Sequence, residues 1–464
     1  MNPTNIKLMK VEQPRKDCPL LCVNLTDDTM HERMQKCIQQ MKRNNIQQLI
    51  VYGDVEHGSN FEYLVGYIPR FEEALLIIKD TGKTSLVLGN ENLNKASKAR
   101  IDNQSVHVPL FSLPHQPNRK DMTLEELLCD AGIERLKTTG IVGWKLFTSP
   151  IENNSMMFDV PHYIVQTIYK IVEDRKMVIN KTDLFIGENG IRITNNANEV
   201  AHYEYGAALA SDCMLEAMNH LDVGMQEDEL ASYLENKGQR RSVVTIAASG
   251  ERYVQGNIYP TNKQIQLADP ISMTVGYRGG LSSRSGYAIM SKTDLASDKQ
   301  NYLEELVIPY FNAYATWLNK IKIGMRGKEL YQIIEQVLPK EKFNWTLCPG
   351  HLTAEEEWLT SPIYEDSNEI IQSGMIFQVD IIPTLEGYAG TGAESTIVIA
   401  DELLRNDIMN QYPEMYKRMQ ERVFYMQHEL GLELSHDVLP MCSTVGYLRP
   451  YLLNRNQAMG FEKE

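Results

Sequence analysis

The sequence predicts two domains of different class. We expect an α/β domain over residues 1–185 and an α+β domain over residues 186–464, with a mixed, mostly antiparallel sheet and helices on one side. At 464 residues the chain is long enough for two or three separate cores. Helices and strands alternate before residue 185, whereas afterwards blocks of helices precede blocks of strands. This second region repeats one order of elements, which indicates an internal pseudo-repeat.

The first domain is predicted to begin with a helix. Residues 29–44, "TMHERMQKCIQQMKRN", place apolar residues at helical spacing, and "IQQLIVYGD" follows as a strand that ends in a turn. "EALLIIKDTGKTSLVLGNE" predicts two strands joined by a glycine turn. "TLEELLCDAG" and "TTGIVGWKL" then add a helix and a strand. The turn-rich "NKTDLFIGENG" indicates that this domain ends near residue 185.

The second domain opens with a long predicted helix. "TNNANEVAHYEYGAALASDCMLEAMNHLDVG" begins with capping-type asparagines, keeps helical periodicity and stops at Gly224. "QEDELASYLENKG" is a shorter helix, and "SVVTIAASG" and "ISMTVGYRG" are strands. The same order then returns, with helices in "NYLEELVIPYFNAYATWLNKI" and "GMRGKELYQIIEQVLPK" and strands in "GMIFQVDIIP" and "ESTIVIAD".

Charge and composition exclude several classes of partner. The chain has 46 basic and 61 acidic residues, a formal net charge of −15, and no cluster of lysine and arginine, so we expect neither nucleic acid nor an anionic membrane as a partner. We find no export signal and no apolar run near the length of a membrane span. The seven scattered cysteines predict reduced thiols and a cytoplasmic location.

Two acidic residues lie in strongly apolar surroundings. Asp380 sits inside "MIFQVDII", where an ionised carboxylate on a buried strand costs several kcal/mol unless a cation, metal or donor meets it. The alternative is a residue at a strand end that reaches water. Glu394 opens the next predicted strand, after "GYAGTG", and hairpin geometry would bring it beside Asp380. Two converging acids favour a functional site.

His351 follows a glycine in "CPGHLTAEEEW". A lone histidine in such a place is more often structural or exposed than functional. The three glutamates at 355–357 are predicted to be a solvent-facing charge run, because adjacent side chains on a helix or strand point in different directions. We therefore keep only His351 from this stretch as a candidate.

The order of these pieces resembles the creatinase, prolidase and methionine aminopeptidase family, whose C-terminal domain has the pita-bread fold. The resemblance rests on "GH" in a loop, then "GMIFQVD", then "GAESTIVIAD". "EVAHYEYGAALASDCMLEAM" looks like the first long helix of that domain. "NFEYLVGY" and "RFEEALLII" look like the creatinase-type N-terminal domain, so the resemblance covers most of the chain.

The resemblance implies a degraded metal site. His351, Asp380 and Glu394 match three of the five metal ligands of the family. The aspartate pair, which has a spacing of eleven residues, falls at Thr274 and Ser285, and neither is a carboxylate. Two carboxylates do not offset the charge of two metal ions. We therefore expect no cofactor, with one divalent ion (manganese, zinc or iron) on His351, Asp380 and Glu394 as the alternative.

Other positions are implied to line the same cleft. The two histidines that contact substrate in the family fall at Asn257 and Trp358. The predicted substrate-binding residues are Asn257, Tyr259, Thr274, Arg284, Ser285, Tyr287 and Trp358, together with His57 and Arg70 of the first domain. A structural role is the alternative for each isolated polar residue. In creatinase-like dimers the first domain reaches over the active site of the partner, so the resemblance implies a homodimer.

Three functions follow from this reading. The first is a hydrolase of a C–N bond in a small amino-acid-like or cationic substrate, working without the dinuclear metal, with His351, Asp380 and Glu394 as catalytic residues and His351 as general acid or base. The second is an inactive pita-bread module that binds a peptide or small ligand. The third is a single-metal aminopeptidase or dipeptidase.

Overall fold

The computed structural model describes residues 3–116 and 122–462. The strands are β1 (Ile6–Lys10), β2 (Gln48–Gly53), β3 (Ala74–Lys79), β4 (Thr84–Leu88), β5 (Gln104–His107), β6 (Thr139–Val142), β7 (Val178–Asn180), β8 (Ile246–Ser249), β9 (Pro270–Tyr277), β10 (Gly280–Tyr287), β11 (His351–Leu352), β12 (Ile376–Gln378), β13 (Gly392–Glu394), β14 (Thr396–Ile399), β15 (Val438–Pro440) and β16 (Gln457–Phe461). The helices are α1 (Asp27–Arg43), α2 (Ser59–Val65), α3 (Leu124–Asp130), α4 (His162–Val172), α5 (Ala197–His220), α6 (Glu227–Ser232), α7 (Ile308–Lys320), α8 (Gly327–Val337), α9 (Lys340–Phe343), α10 (Glu402–Gln411) and α11 (Pro413–His428).

The chain divides into two compact units at positions that differ from the expected boundary at 185/186. One unit is Leu25–Ile193, and the other combines Met1–Asn24 with Thr194–Glu464. The turn-rich stretch after residue 185 stays in the first unit because the Tyr63 hydroxyl donates to the carbonyl of Ile191. The first 24 residues belong to the second unit because β1 pairs antiparallel with β16.

The unit Leu25–Ile193 contains a mixed six-stranded sheet in the order β5-β4-β3-β2-β6-β7. The β2–β3 and β3–β4 pairs are antiparallel and the other three are parallel. Its core joins buried strand residues such as Ile50 and Ile77 to helix residues such as Leu128, Ile164 and Ile168. This confirms the predicted α/β class.

The second unit contains two four-stranded antiparallel sheets, in the orders β13-β10-β9-β8 and β11-β12-β14-β15. Helix α5 packs on β9 and β10. At Gly206 of α5 an added Cβ would overlap the carbonyl oxygen of Arg278, so the helix approaches the β9–β10 turn closely only because this residue is glycine. The mostly antiparallel sheet with packed helices agrees with the predicted α+β class.

The internal pseudo-repeat is visible in backbone bonds as well as in element order. A long helix, a short helix and antiparallel strands occur twice, beginning at α5 and at α7. Before each short helix the sequence reads Gly-Met, and the glycine N–H donates to an isoleucine carbonyl: Gly224 to Ile265 and Gly324 to Ile371. The two halves therefore share one local design, although few of their side chains match.

Two predictions based on composition can be compared with the structure. All seven cysteines are free thiols. Across residues 3–116 and 122–462, no helix is both long and apolar enough to cross a membrane.

Asp212 of α5 anchors the N-terminal segment within the second unit. Its carboxylate accepts the backbone N–H groups of Asp17 and Cys18, both at 3.1 Å. Burial outweighs these bonds and raises the pKa of Asp212 from 3.8 to about 6. Because the folded pKa lies above the unfolded one, this group stabilises the protein most below pH 3.8, and the contribution is lost as pH rises through 6.

Replacing Asp212 with asparagine is expected to flatten the dependence of stability on pH. In the wild-type protein the free energy of unfolding falls by up to about 3 kcal/mol between pH 4 and pH 7.5, because this buried carboxyl group ionises. Asp212→Asn removes that fall. Urea unfolding at the two pH values measures it, with the exposed Asp222→Asn as the control. An equal pH dependence in both variants would contradict the role of Asp212.

Candidate active site

His351 lies on the two-residue strand β11 and is fully buried. The strand pairs antiparallel with β12, which places His351 opposite Gln378. The ring nitrogen Nδ1 lies 3.2 Å from the carbonyl oxygen of Leu352. Because a carbonyl can only accept, Nδ1 carries a hydrogen in this contact, and Nε2 faces the rest of the site.

Three carboxylates surround Nε2 of His351. The nearest oxygens are those of Glu357 at 3.0 Å, Glu394 at 3.8 Å and Asp380 at 4.0 Å. The contact with Glu357 is an ion pair when the ring is protonated. Among the described residues, neither Nε2 of His351 nor Oε1 of Glu394 has a hydrogen-bond partner, and both atoms are buried. Buried polar atoms are nearly always paired, so these two indicate a place for a polar ligand.

Asp380 and Glu394 reach the site from different sheets. Asp380 follows β12 of one sheet, whereas Glu394 ends β13 of the other, opposite Ser283 of β10. We expected a hairpin between the strands that carry these two acids, and this expectation was wrong. The strand after Glu394 does pair with β12, but it begins at Thr396, one residue beyond Ser395. The acids converge where the chain passes from one sheet to the other.

The glutamates after His351 also differ from expectation. Residues 354–357 form a bend rather than a helix or strand, so adjacent side chains are not held in fixed opposite directions. Glu355 is buried and accepts a hydrogen bond from the Tyr203 hydroxyl at 2.7 Å. Glu357 approaches His351, as described above. The prediction of a solvent-facing run was therefore wrong for these two residues, and Glu357 is a site residue that the sequence did not reveal.

Trp358 covers one face of the histidine ring. The two rings stack with centroids 4.2 Å apart and planes inclined by 21°. The indole is 40% exposed, so it forms an outer wall of the site. A substrate-binding role of Trp358 stays a prediction.

The electrostatics of the cluster follow from burial and crowding. Burial favours a neutral His351, but Glu357 and Glu394 outweigh it and raise the pKa of the ring well above its usual value. Burial, and then the charge of Glu394, raise the pKa of Asp380 well above its usual range. Burial also raises the pKa of Glu394. The cluster therefore favours bound protons or another cation.

Thr274 and Ser285 lie on the strands β9 and β10, as expected, but they are not opposite each other. Thr274 pairs with Ser283, and their hydroxyls are 2.8 Å apart. Ser283 in turn lies opposite Glu394, so these three side chains share one face of the sheet. Ser285 lies one row further along the same face, opposite Gly392. Ser283 was not among the predicted residues, because the spacing of eleven pointed to Ser285.

Arg284 points to the opposite face of β10 and does not line the cleft. Side chains alternate along a strand, so Arg284 faces away from Ser283 and Ser285. Its buried guanidinium donates to the carbonyls of Ser283, Glu394, Thr444 and Tyr447 and to the Ser395 hydroxyl. These hydrogen bonds occupy all three nitrogens of the guanidinium group. Arg284 is therefore a structural residue, not the substrate-binding residue that was predicted.

The remaining predicted residues lie in several places. Tyr287 is buried at the end of β10, where its hydroxyl accepts the N–H of Ala389 at 2.6 Å. Asn257 and Tyr259 are exposed. Within the described parts of the chain, no hydrogen bond or ion pair joins Asn257 or Tyr259 to His351, Asp380 or Glu394.

His57 and Arg70 belong to the unit Leu25–Ile193. The ring of His57 stacks on Trp144 with centroids 4.8 Å apart, and the guanidinium of Arg70 lies 4.4 Å from the centroid of Phe71. These local contacts account for both side chains. Their role in a cleft shared by two subunits stays a prediction.

The residues at the site fit one divalent ion. One ligand atom each from His351, Asp380 and Glu394 lie within 4.8 Å of one another, and two of these residues carry the unpartnered atoms described above. An imidazole and two carboxylates suit zinc, manganese or iron. A second ion does not fit, because the facing positions on β9 and β10 carry hydroxyls.

Comparisons with known proteins show which family and which structures this chain is similar to. Residues 201–404 match the model of metallopeptidase family M24. The prolidase from Pyrococcus horikoshii OT3 is 18% identical, with a TM-score of 0.61 over 80% of this chain and 95% of that one. An Xaa-Pro dipeptidase from Bacillus anthracis is 16% identical, with a TM-score of 0.61 over 80% of this chain and 96% of that one.

A third structure gives the same result. The X-Pro aminopeptidase from Thermotoga maritima MSB8 is 17% identical, with a TM-score of 0.59 over 80% of this chain and 95% of that one. No curated protein sequence matches the chain. At these identities the structural likeness shows the fold. The chain therefore has the pita-bread fold of these structures, and its residues 201–404 are similar to metallopeptidase family M24.

Proposed function

We propose that the protein is a hydrolase that cleaves a C–N bond in a small amino-acid-like or cationic substrate at the His351 cluster. The observation that carries this proposal is the buried, unpartnered Nε2 of His351, which faces the carboxylates of Asp380, Glu394 and Glu357. A buried titratable ring surrounded by acids costs stability unless the site serves a ligand or a reaction.

The arrangement suits recognition of an ammonium or guanidinium group. Carboxylates form strong, charge-assisted hydrogen bonds with such cations, and burial strengthens the attraction. Hydrolysis adds water to the carbon, breaks the C–N bond and leaves a proton on the departing nitrogen. His351 is placed to carry that proton at Nε2, while Trp358 holds the ring in position.

Replacing His351 with glutamine is expected to lower turnover by about 100-fold or more, because it removes the proton carrier and keeps most of the volume. Turnover is measured with Xaa-Pro dipeptides and guanidino acids. The matched control is His436→Gln, since His436 is largely exposed to solvent. If His351→Gln cleaves a substrate as fast as the control, the proposal fails.

A second candidate is a peptidase with one metal ion. The favouring observation is the convergence of His351, Asp380 and Glu394 within 4.8 Å. An ion held there would polarise a substrate carbonyl and lower the pKa of water. Metal analysis of protein purified without chelator or added metal tests this. One bound ion per chain that is lost in Asp380→Asn would favour this candidate over the metal-free hydrolase.

A third candidate is a binding module without catalysis. The favouring observation is that Thr274 and Ser285 carry hydroxyl groups where the resemblance implies an aspartate pair. Such a module would bind peptides or amines with a measurable shift in melting temperature and release them unchanged. Detection of any cleaved product would exclude it.

A further inference from the structure

One face of β10 continues beyond the His351 cluster. Because side chains alternate, Ser283, Ser285 and Tyr287 point to the same side of the sheet. Glu394 lies beside Ser283 in the first row. A cavity of about 460 Å³ lies at the Tyr287 end of this face. We call it the tyrosine pocket, lined by Tyr253, Val254, Pro270, Tyr287, Leu295 and Tyr388.

Tyr253 lines the tyrosine pocket. Its hydroxyl lies close to Gly390 and to the Ser285 side chain. An added Cβ at Gly390 would overlap that hydroxyl, so glycine is needed for the ring to sit there. Ser285 occupies the row between Ser283 and Tyr287. The pocket and the acidic cluster are therefore neighbours on one continuous surface.

The other aromatic walls are also held in place. Tyr287 meets Tyr302 edge to face, with ring centroids 4.9 Å apart and planes at 87°. The hydroxyl of Tyr388 donates to the Asn301 side chain at 2.7 Å. Apolar side chains such as Val254 and Leu295 line the pocket beside these rings, together with the charged Glu251 and Lys299. Fixed aromatic faces favour a ring or a branched aliphatic group, and the volume falls in the range of ligand pockets.

Strand geometry sets the length of a ligand that reaches both places. Residues on the same face of a strand are about 7 Å apart, so the row of Tyr287 lies roughly 13 Å from the row of Ser283 and Glu394. An extended peptide covers about 3.3–3.6 Å per residue. A cationic amino end at the acids would therefore put about the fourth residue of an extended peptide at the tyrosine pocket.

We propose that the tyrosine pocket binds the bulky apolar or aromatic side chain of a short peptide whose free ammonium group lies at the His351 cluster. This proposal names the substrate class of the hydrolase proposed above and rests on that function for the cationic end. Specificity comes from two recognised groups at a fixed separation. Peptides that lack either group bind weakly.

Calorimetric titration of the full chain with Ala-Ala-Ala-Phe and Ala-Ala-Ala-Ala tests the pocket. Burial of a phenyl ring is expected to make Ala-Ala-Ala-Phe bind at least about tenfold more tightly. Ala296→Trp, which fills the pocket, and Tyr388→Ala, which removes a wall, are expected to reduce that preference to about threefold or less. The control Tyr364→Ala removes a half-exposed tyrosine outside the lining and keeps the preference. Equal affinities for the two peptides, or no binding of either, would overturn the proposal.

Two further measurements distinguish a failure of this proposal from a failure of the proposed function. They are the binding of an acetylated peptide and the cleavage of the free peptides. N-acetyl-Ala-Ala-Ala-Phe lacks the ammonium group and is expected to bind at least about tenfold more weakly than the free peptide. Undiminished binding would remove the His351 cluster from the recognition scheme. Tight binding of Ala-Ala-Ala-Phe without cleavage would reject the hydrolase and keep the pocket. Equal cleavage and binding of Ala-Ala-Ala-Ala would keep the hydrolase and reject the pocket.

Discussion

Replacing Arg422 with methionine is expected to lower the free energy of unfolding by about 3–5 kcal/mol. The guanidinium is almost fully buried and donates to Glu204 at 2.7 Å, to Asp17 at 2.6 Å and to the carbonyl of Pro440 at 3.2 Å. Its removal leaves a buried carboxylate and a buried carbonyl with fewer donors. The loss is large because the partners stay desolvated in the folded protein.

Arg418→Met is the matched control for Arg422. Arg418 also binds Glu204, but its side chain is 22% exposed against 2% for Arg422, so water can replace part of its contribution. We expect a loss of about 1 kcal/mol. Urea unfolding followed by the fluorescence of the buried Trp317 and Trp345 measures both variants. Equal losses in the two variants would show that burial does not set the strength of this network.

Arg284→Met is expected to cost a similar 3–5 kcal/mol and to reduce activity as well. Four carbonyl groups and one hydroxyl accept hydrogen bonds from this buried side chain, and one of the carbonyls belongs to Glu394. Methionine fills the volume but donates to none of them. Because β13 then loses its fixed position behind the site, the carboxylate of Glu394 shifts relative to His351.

Arg284→Lys separates charge from geometry. Lysine keeps the positive charge but lacks the planar fork that serves several acceptors at once. We expect it to recover less than half of the lost stability. The measurement is urea unfolding together with kcat and KM for any substrate found for the wild-type protein. A lysine variant as stable as the wild type would show that charge alone explains the contribution of Arg284.

Local signals predicted the elements well. The long helix α5 begins at the asparagine cap that the sequence suggested, where Asn196 and Glu199 form a reciprocal capping box. The glycine turn between β3 and β4 and the helix α3 also follow from short-range patterns. These features depend on neighbouring residues, which is why one sequence reveals them. Apolar surroundings indicated the pair of acids, Asp380 and Glu394, and the family resemblance added His351 to them.

Long-range packing decided what the sequence did not show. Glu357 turns toward His351 because the chain bends after β11, and no propensity in "AEEEW" specifies that bend. The opposite orientation of Arg284 depends on the register of β10, where a shift of one residue exchanges the two faces. The separation of Asp380 and Glu394 onto two sheets depends on where β13 ends. Each of these facts is set by partners far away in sequence.

The pairing of β1 with β16 fixes the order in which the protein can be completed during synthesis. Residues 6–10 leave the ribosome long before their partners at 457–461. The unit Leu25–Ile193 has all of its strands before those partners are made. A nascent chain therefore carries β1 as an unpaired strand until residues 457–461 emerge, exposed to mispairing with other chains.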